Sequence, residues 1–230
     1  MHDLLLTSTY FGVLISLISY GIGCWLKKKT GLGIFNPLLV ACILTIAAVL
    51  GLKMEYSVYY EGAKYLSYLL TPATICLALP LYEKFELLKK NWFALLVGMV
   101  TGVLTSVCSV LLLSILFRFD HKEYVTFLPK SITTAIGMGV SEEMGGYVAI
   151  TVAVIMLTGV LGNILAETVC RVFRITDPIA RGIGIGSASH AIGTTKAMEM
   201  GETEGAMSSL SIVVSGLLTV VAAMIFAPLL

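Results

Sequence analysis

The chain has 230 residues, of which 57% are hydrophobic and only 13% charged, and its formal net charge is +1. A soluble domain carries about 25% charged residues, so a mean hydropathy of +0.94 puts the bulk of the chain in lipid, as one integral membrane domain with no room for a separate soluble one. The near-zero charge gives no reason to expect nucleic acid or acidic partners.

An uncharged run of about 18 residues or more is long enough to cross a ~30 Å hydrocarbon core as a helix. The first such run is 4–26, ended by Lys27, Lys28 and Lys29. No basic stretch precedes it and no small-residue cleavage site follows, so it reads as a retained span and not a removed leader. The second run, 34–52, has Asn36-Pro37 at its entrance, where a proline in the first helical turn forfeits no hydrogen bond. The third, 65–82, is broken by Pro72 and closed by Pro80. Runs 91–117, 147–166 and 205–230 also cross easily. Between them lie two short polar segments, 127–146 (FLPKSITTAIGMGVSEEMGG) and 182–201 (GIGIGSASHAIGTTKAMEMG). A hydroxyl-rich half-segment in an apolar chain must be buried in protein or line a watery cavity. The expected fold is therefore all-α and polytopic, with two broken or re-entrant half-helix segments that share one site, as transporters build them.

Lysines and arginines near span ends set orientation. The clusters Lys27 to Lys29, then Lys84, Lys89 and Lys90, then Arg171, Arg174 and Arg181 are all assigned to the cytoplasm. That assignment is met most simply if 127–146 enters and returns on the outer side; whether 182–201 crosses or re-enters stays open. An internal repeat supports paired segments. A shift of 57 residues lays Pro72 on Pro129, Glu86 on Glu143, and the string TGVL of 101–104 on that of 158–161. A shift of 56 lays Ala135-Ile136-Gly137 on Ala191-Ile192-Gly193 and Glu143 on Glu199. The repeat units run roughly 65–120, 122–175 and 180–230.

The candidate site residues follow from these segments. A helix beginning at Pro129 would aim free N–H groups and a positive dipole end into the cavity. Lys130, Ser131, Thr133 and Thr134 would add an ammonium and hydroxyls, a set suited to a small carboxylate. The same residues also fit a capped half-helix with Lys130 reaching to the interface. In the second segment Ser189, His190, Thr194 and Thr195 are candidates; an intramembrane histidine can bind a carboxylate, exchange a proton, or serve structure alone. Glu143, Glu199 and Glu142 are candidate proton carriers if buried, and idle if they face water. Asn36 and Thr74, beside the prolines of earlier runs, either complete the cavity or bond between helices. Gly182, Gly184, Gly186 and Gly193 follow no strand, so they fit close helix approach and a small-residue wall, not a nucleotide fingerprint.

Enzyme readings fail on inventory. Asp3, Asp120 and Asp177 all lie in loops or at ends, and no zinc-protease or P-loop motif is present. The five cysteines are unclustered, which suits packing and not a disulfide frame, a metal site or a cofactor.

The strings FNPLLVA (35–41), LTPATICLALPLY (70–82), LPKSITTAIGM (128–138), SASHAIGTTKAMEMG (187–201) and GAMSSLS (205–211) together resemble the LrgB/CidB family of bacterial membrane proteins. The plastid glycolate/glycerate translocator is similar in its C-terminal half. The resemblance implies a multi-pass protein of the bacterial cytoplasmic (inner) membrane and two functions. One is antiholin-like modulation of murein hydrolase activity and lysis beside a small holin-like partner of the LrgA type. The other is movement of small 2-hydroxy or 2-keto monocarboxylates such as glycolate, glycerate or pyruvate. The residues lean to the second and leave self-association open.

Overall fold

The structure, a computed structural model, describes residues 10–31, 35–69, 72, 75–76, 79 and 82–230. Among these residues all regular structure is helical. The chain divides into two compact units, Met1–Cys76 and Leu77–Leu230.

The first unit contains α1 (Phe11–Thr30), α2 (Pro37–Gly51) and α3 (Tyr56–Ser67). α1 stops after its three lysines at Gly31, whose left-handed φ of 66° turns its N–H onto Lys27 O. Gly12 lets α1 touch the backbone of α3, since a Cβ there would come within 2.5 Å of Ala63 N and Tyr59 O. One turn on, the hydroxyls of Ser16 and Tyr59 are 2.9 Å apart. α2 is shorter than the run predicted from hydropathy: its 15 residues span about 22 Å, less than a ~30 Å hydrocarbon core. Asn36 sets the boundary by accepting from Leu38 N and Leu39 N at 2.9 and 3.3 Å, with Pro37 as the first helical residue. α3 begins upstream of the expected run 65–82 and ends at Ser67; part of that run, Thr74 and Pro80 included, lies outside the described residues.

The second unit is built on α4 (Phe85–Phe117), 33 residues long and so about 50 Å. Leu88, Leu95, Met99, Val103, Val107 and Val110 are buried along one stripe, the spacing of a helix face turned to a core. Arg118 closes α4 in the left-handed region, and an Asp120–Glu123 capping box opens α5 (His121–Phe127). A turn leads to α6 (Thr134–Glu143), followed by α7 (Val148–Val172), α8 (Pro178–Met200), α9 (Glu202–Phe226) and a 3₁₀ turn at Ala227–Leu229. Among the described residues, α1, α4, α7 and α9 with its final turn are long and apolar enough to cross a membrane. α4 and α7 run past the predicted 91–117 and 147–166. Hydropathy marks only what must sit in hydrocarbon, whereas a helix continues wherever its polar side chains can reach water.

The segment that holds α5 and α6 returns to its start near the end of α4, where Tyr147 N donates to Thr126 Oγ1 at 2.8 Å. Thr126 O and Ser141 Oγ both lie within 3 Å of Thr151 Oγ1, and Pro129 O sits over Gly137. Phe119 stacks on Phe127, and Tyr124 donates to Phe226 O at the end of α9. The helix of this segment starts at Thr134, not Pro129 as the sequence suggested: the chain turns through Lys130 N to Phe127 O and Ile132 N to Pro129 O first.

α8 is the counterpart from the opposite end. At His190 the backbone leaves the helix, with φ 42° and ψ −143°, and the chain doubles back. Ile185 and Ala197 share one apolar cluster with Ala166, although twelve residues of straight helix would hold them about 18 Å apart. Gly182 and Gly186 press on Glu204 O and Ser208 O of α9 on the way in, and Met198 packs on Gly205 on the way out. The ion pairs Lys84–Glu202 (3.1 Å) and Arg181–Glu204 (3.7 Å) mark this as the end where α4 starts. Small residues on α9, among them Ala206, Ser208, Ser211 and Gly216, permit the close approach.

Candidate functional site

A cavity of about 680 Å³ lies between α4 and the inward half of α8, with the turn between α5 and α6 contributing to its wall. α4 supplies Gly98, Thr101, Gly102, Thr105, Ser106 and Ser109, and α8 supplies Ile183, Gly184, Ser187 and Ala188. Lys130, Ser131 and Asp177 complete the wall. The walls are held close by Gly102, where a Cβ would come within 2.9 Å of Ser187 Oγ. Gly184 faces open space.

Among the described residues, Lys130 is the only cation on the cavity wall. Its Nζ donates to Ser131 Oγ at 3.1 Å and Ser106 Oγ at 3.3 Å, and those two hydroxyls are 2.9 Å apart. Among the described residues no carboxylate forms an ion pair with it. An ammonium has three N–H donors, so two serines leave one to point elsewhere. Ser106 lies eleven residues inside α4 from Phe117, about 16 Å along the axis, so the half-buried ammonium sits well away from that helix end. Asp177, on the same wall, accepts from Ala180 N at 2.8 Å through Oδ1 and caps α8.

The sequence-predicted residues divide. Lys130 and Ser131 are on the cavity wall, while Thr133 and Thr134, half-buried, serve as N-cap and first residue of α6 and are not among its lining. Ser189 and His190 are buried one turn past the lining residue Ser187 but point to α7. Gly159 and Gly162 make room for them, since a Cβ at Gly162 would be 1.7 Å from Ser189 Oγ and one at Gly159 2.7 Å from His190 Cε1. His190 Nε2 lies 3.0 Å from Ile155 O, so this side chain holds the hairpin tip against α7. Thr194 bonds His190 O and Ser208 Oγ, and Thr195 takes part in a bond from Asn163 Nδ2 at 2.9 Å. Asn36 belongs to the first unit and caps α2.

The acids lie away from the cavity wall as well. Glu142 and Glu143 are exposed at the end of α6, and Glu199 is exposed beside Lys196 at 3.5 Å. The repeat relation between Glu143 and Glu199 thus places them at opposite ends of the unit, each where a hairpin leaves.

Sequence reasoning missed the polar wall supplied by α4. Thr101, Thr105, Ser106 and Ser109 recur at helical spacing in a run otherwise read as a plain span. That periodic hydroxyl stripe was the available signal. The repeated TGVL strings have a role too: Gly102 and Gly159 each admit one side of the α8 tip, at Ser187 and at His190.

Two doubled-back helical segments at opposite ends of the second unit, beside a cavity lined by hydroxyls and, among the described residues, one ammonium, accompany four helices long and apolar enough to cross a membrane, the marks of a multi-span membrane protein. More particularly, the chain belongs to the LrgB-like family, whose profile matches residues 16–229. Its relatives include the Antiholin-like protein LrgB of Bacillus cereus (strain B4264) and that of Bacillus anthracis (strain A0248). Each is 39% identical over 220 residues, covering 95% of this chain and 96% of the relative. No solved structure matches the chain.

Proposed function

We propose that the protein is a secondary carrier of small monocarboxylates of the 2-hydroxy or 2-keto acid kind, in the bacterial cytoplasmic (inner) membrane. The observation that supports this most directly is Lys130: an ammonium with serine partners, no ion-paired carboxylate among the described residues, and a cavity before it. Intramembrane cations are expensive and mark solute pathways. One positive charge matches one carboxylate, and the adjacent serine and threonine hydroxyls match an α-hydroxyl or keto oxygen. A volume of about 680 Å³ is within the range of small-molecule sites. The amide ends of the broken helices are not part of this reading, because α6 starts beyond the cavity wall. Glu143 and Glu199 are exposed and off the cavity wall, so the reading assigns them no contact with the substrate. Counterflow of labelled glycolate, glycerate and pyruvate in proteoliposomes tests it, and failure to exchange any of the three removes it.

A second reading has the stronger support from relatives, which carry the name Antiholin-like protein LrgB. On it, the chain regulates murein hydrolase activity and lysis by pairing with a small holin-like subunit of the LrgA type. Co-purification of that subunit, with a lysis phenotype indifferent to Lys130→Ala, would favour it. The two activities are compatible within one complex.

A further inference from the structure

A second cavity, of about 620 Å³, lies where α7 ends and the two limbs of α8 leave the unit. Its wall carries four cations, Arg171, Arg174, Arg181 and Lys196, against two carboxylates, Glu167 and Glu199. The carboxylates are shared: Glu167 pairs with Arg171 at 3.3 Å and Lys196 at 3.1 Å, and Glu199 pairs with Lys196 at 3.5 Å. Arg181 leans on Glu204 at 3.7 Å and gives Nε to Ile175 O. Arg174 is exposed, its backbone held left-handed at φ 54°, and among the described residues it forms no ion pair. Counting Glu204, the wall still holds four cations to three anions, with a guanidinium free for a bidentate acceptor. Immediately outside, Val169, Val172 and Phe173 present exposed apolar side chains along the end of α7.

We infer that this cavity seats the phosphate headgroup of an anionic phospholipid, whose acyl chains run along α7. The inference is independent of the Lys130 site. Basic pockets between helices at a membrane face hold such headgroups, and each basic residue near an anionic surface contributes enough for about fivefold in affinity. Guanidinium groups take phosphate oxygens in pairs. The apolar strip beside the cavity is what favours a lipid over a soluble anion.

The test is native mass spectrometry and thermal melting of the full chain in neutral detergent, with phosphatidylglycerol, phosphatidylcholine or inorganic phosphate added. Phosphatidylglycerol should bind and raise Tm where phosphatidylcholine does not. Arg174→Gln should weaken that binding about fivefold, while Lys122→Gln, at the other end of the unit, leaves it unchanged. Equal binding of the two lipids, or full binding by the Arg174→Gln variant, overturns the inference. So does an equal response to inorganic phosphate, which would make this a free-anion site.

Discussion

Replacing Lys130 by methionine keeps the stem and removes the charge. The ammonium donates to Ser106 and Ser131 at 3.3 and 3.1 Å, and among the described residues it has no ion-paired carboxylate. A partly desolvated charge without a counter-ion is a cost to the fold, so Lys130→Met should leave Tm unchanged or raise it. With substrate bound the sign reverses. A hydrogen bond to a charged group contributes about 1.5–3 kcal/mol, so its loss should raise KM for counterflow about 10- to 150-fold. The assay is uptake of labelled glycolate, glycerate and pyruvate at graded concentrations, with Tm measured on the same preparation. Wild-type KM in the variant would refute the assignment of Lys130 to substrate. A lower Tm together with unchanged KM would make the lysine a structural link from the α5–α6 turn to α4.

Two further predictions concern the α8 tip. Gly162→Ala places a methyl 1.7 Å from Ser189 Oγ and should destabilise by about 1–3 kcal/mol; adding Ser189→Gly removes the colliding side chain and should restore most of the loss in a thermal double-mutant cycle. His190→Ala gives up the bond to Ile155 O at 3.0 Å and should cost about 1–3 kcal/mol with counterflow KM unchanged. A raised KM at wild-type Tm would return His190 to the substrate site.

Hydropathy and breaker residues alone determined that this chain is helical, carries several helices apolar enough to cross a membrane, and sets polar segments between them at 127–146 and 182–201. Lipid excludes charge and free peptide groups so strongly that spans and interruptions show in composition. Lys130 was legible for the same reason, as a lone cation in an apolar opening. The facing of each side chain was not. Thr101, Thr105, Ser106 and Ser109 share a run with leucines and valines, and only the packing of α4 on Ser187 through Gly102 turns them to a cavity. His190 and Ser189 sit one turn from that cavity in sequence, yet the reversal at φ 42° directs them to α7. Where a chain doubles back, neighbours in sequence part company, and the contact that decides their role lies on another helix.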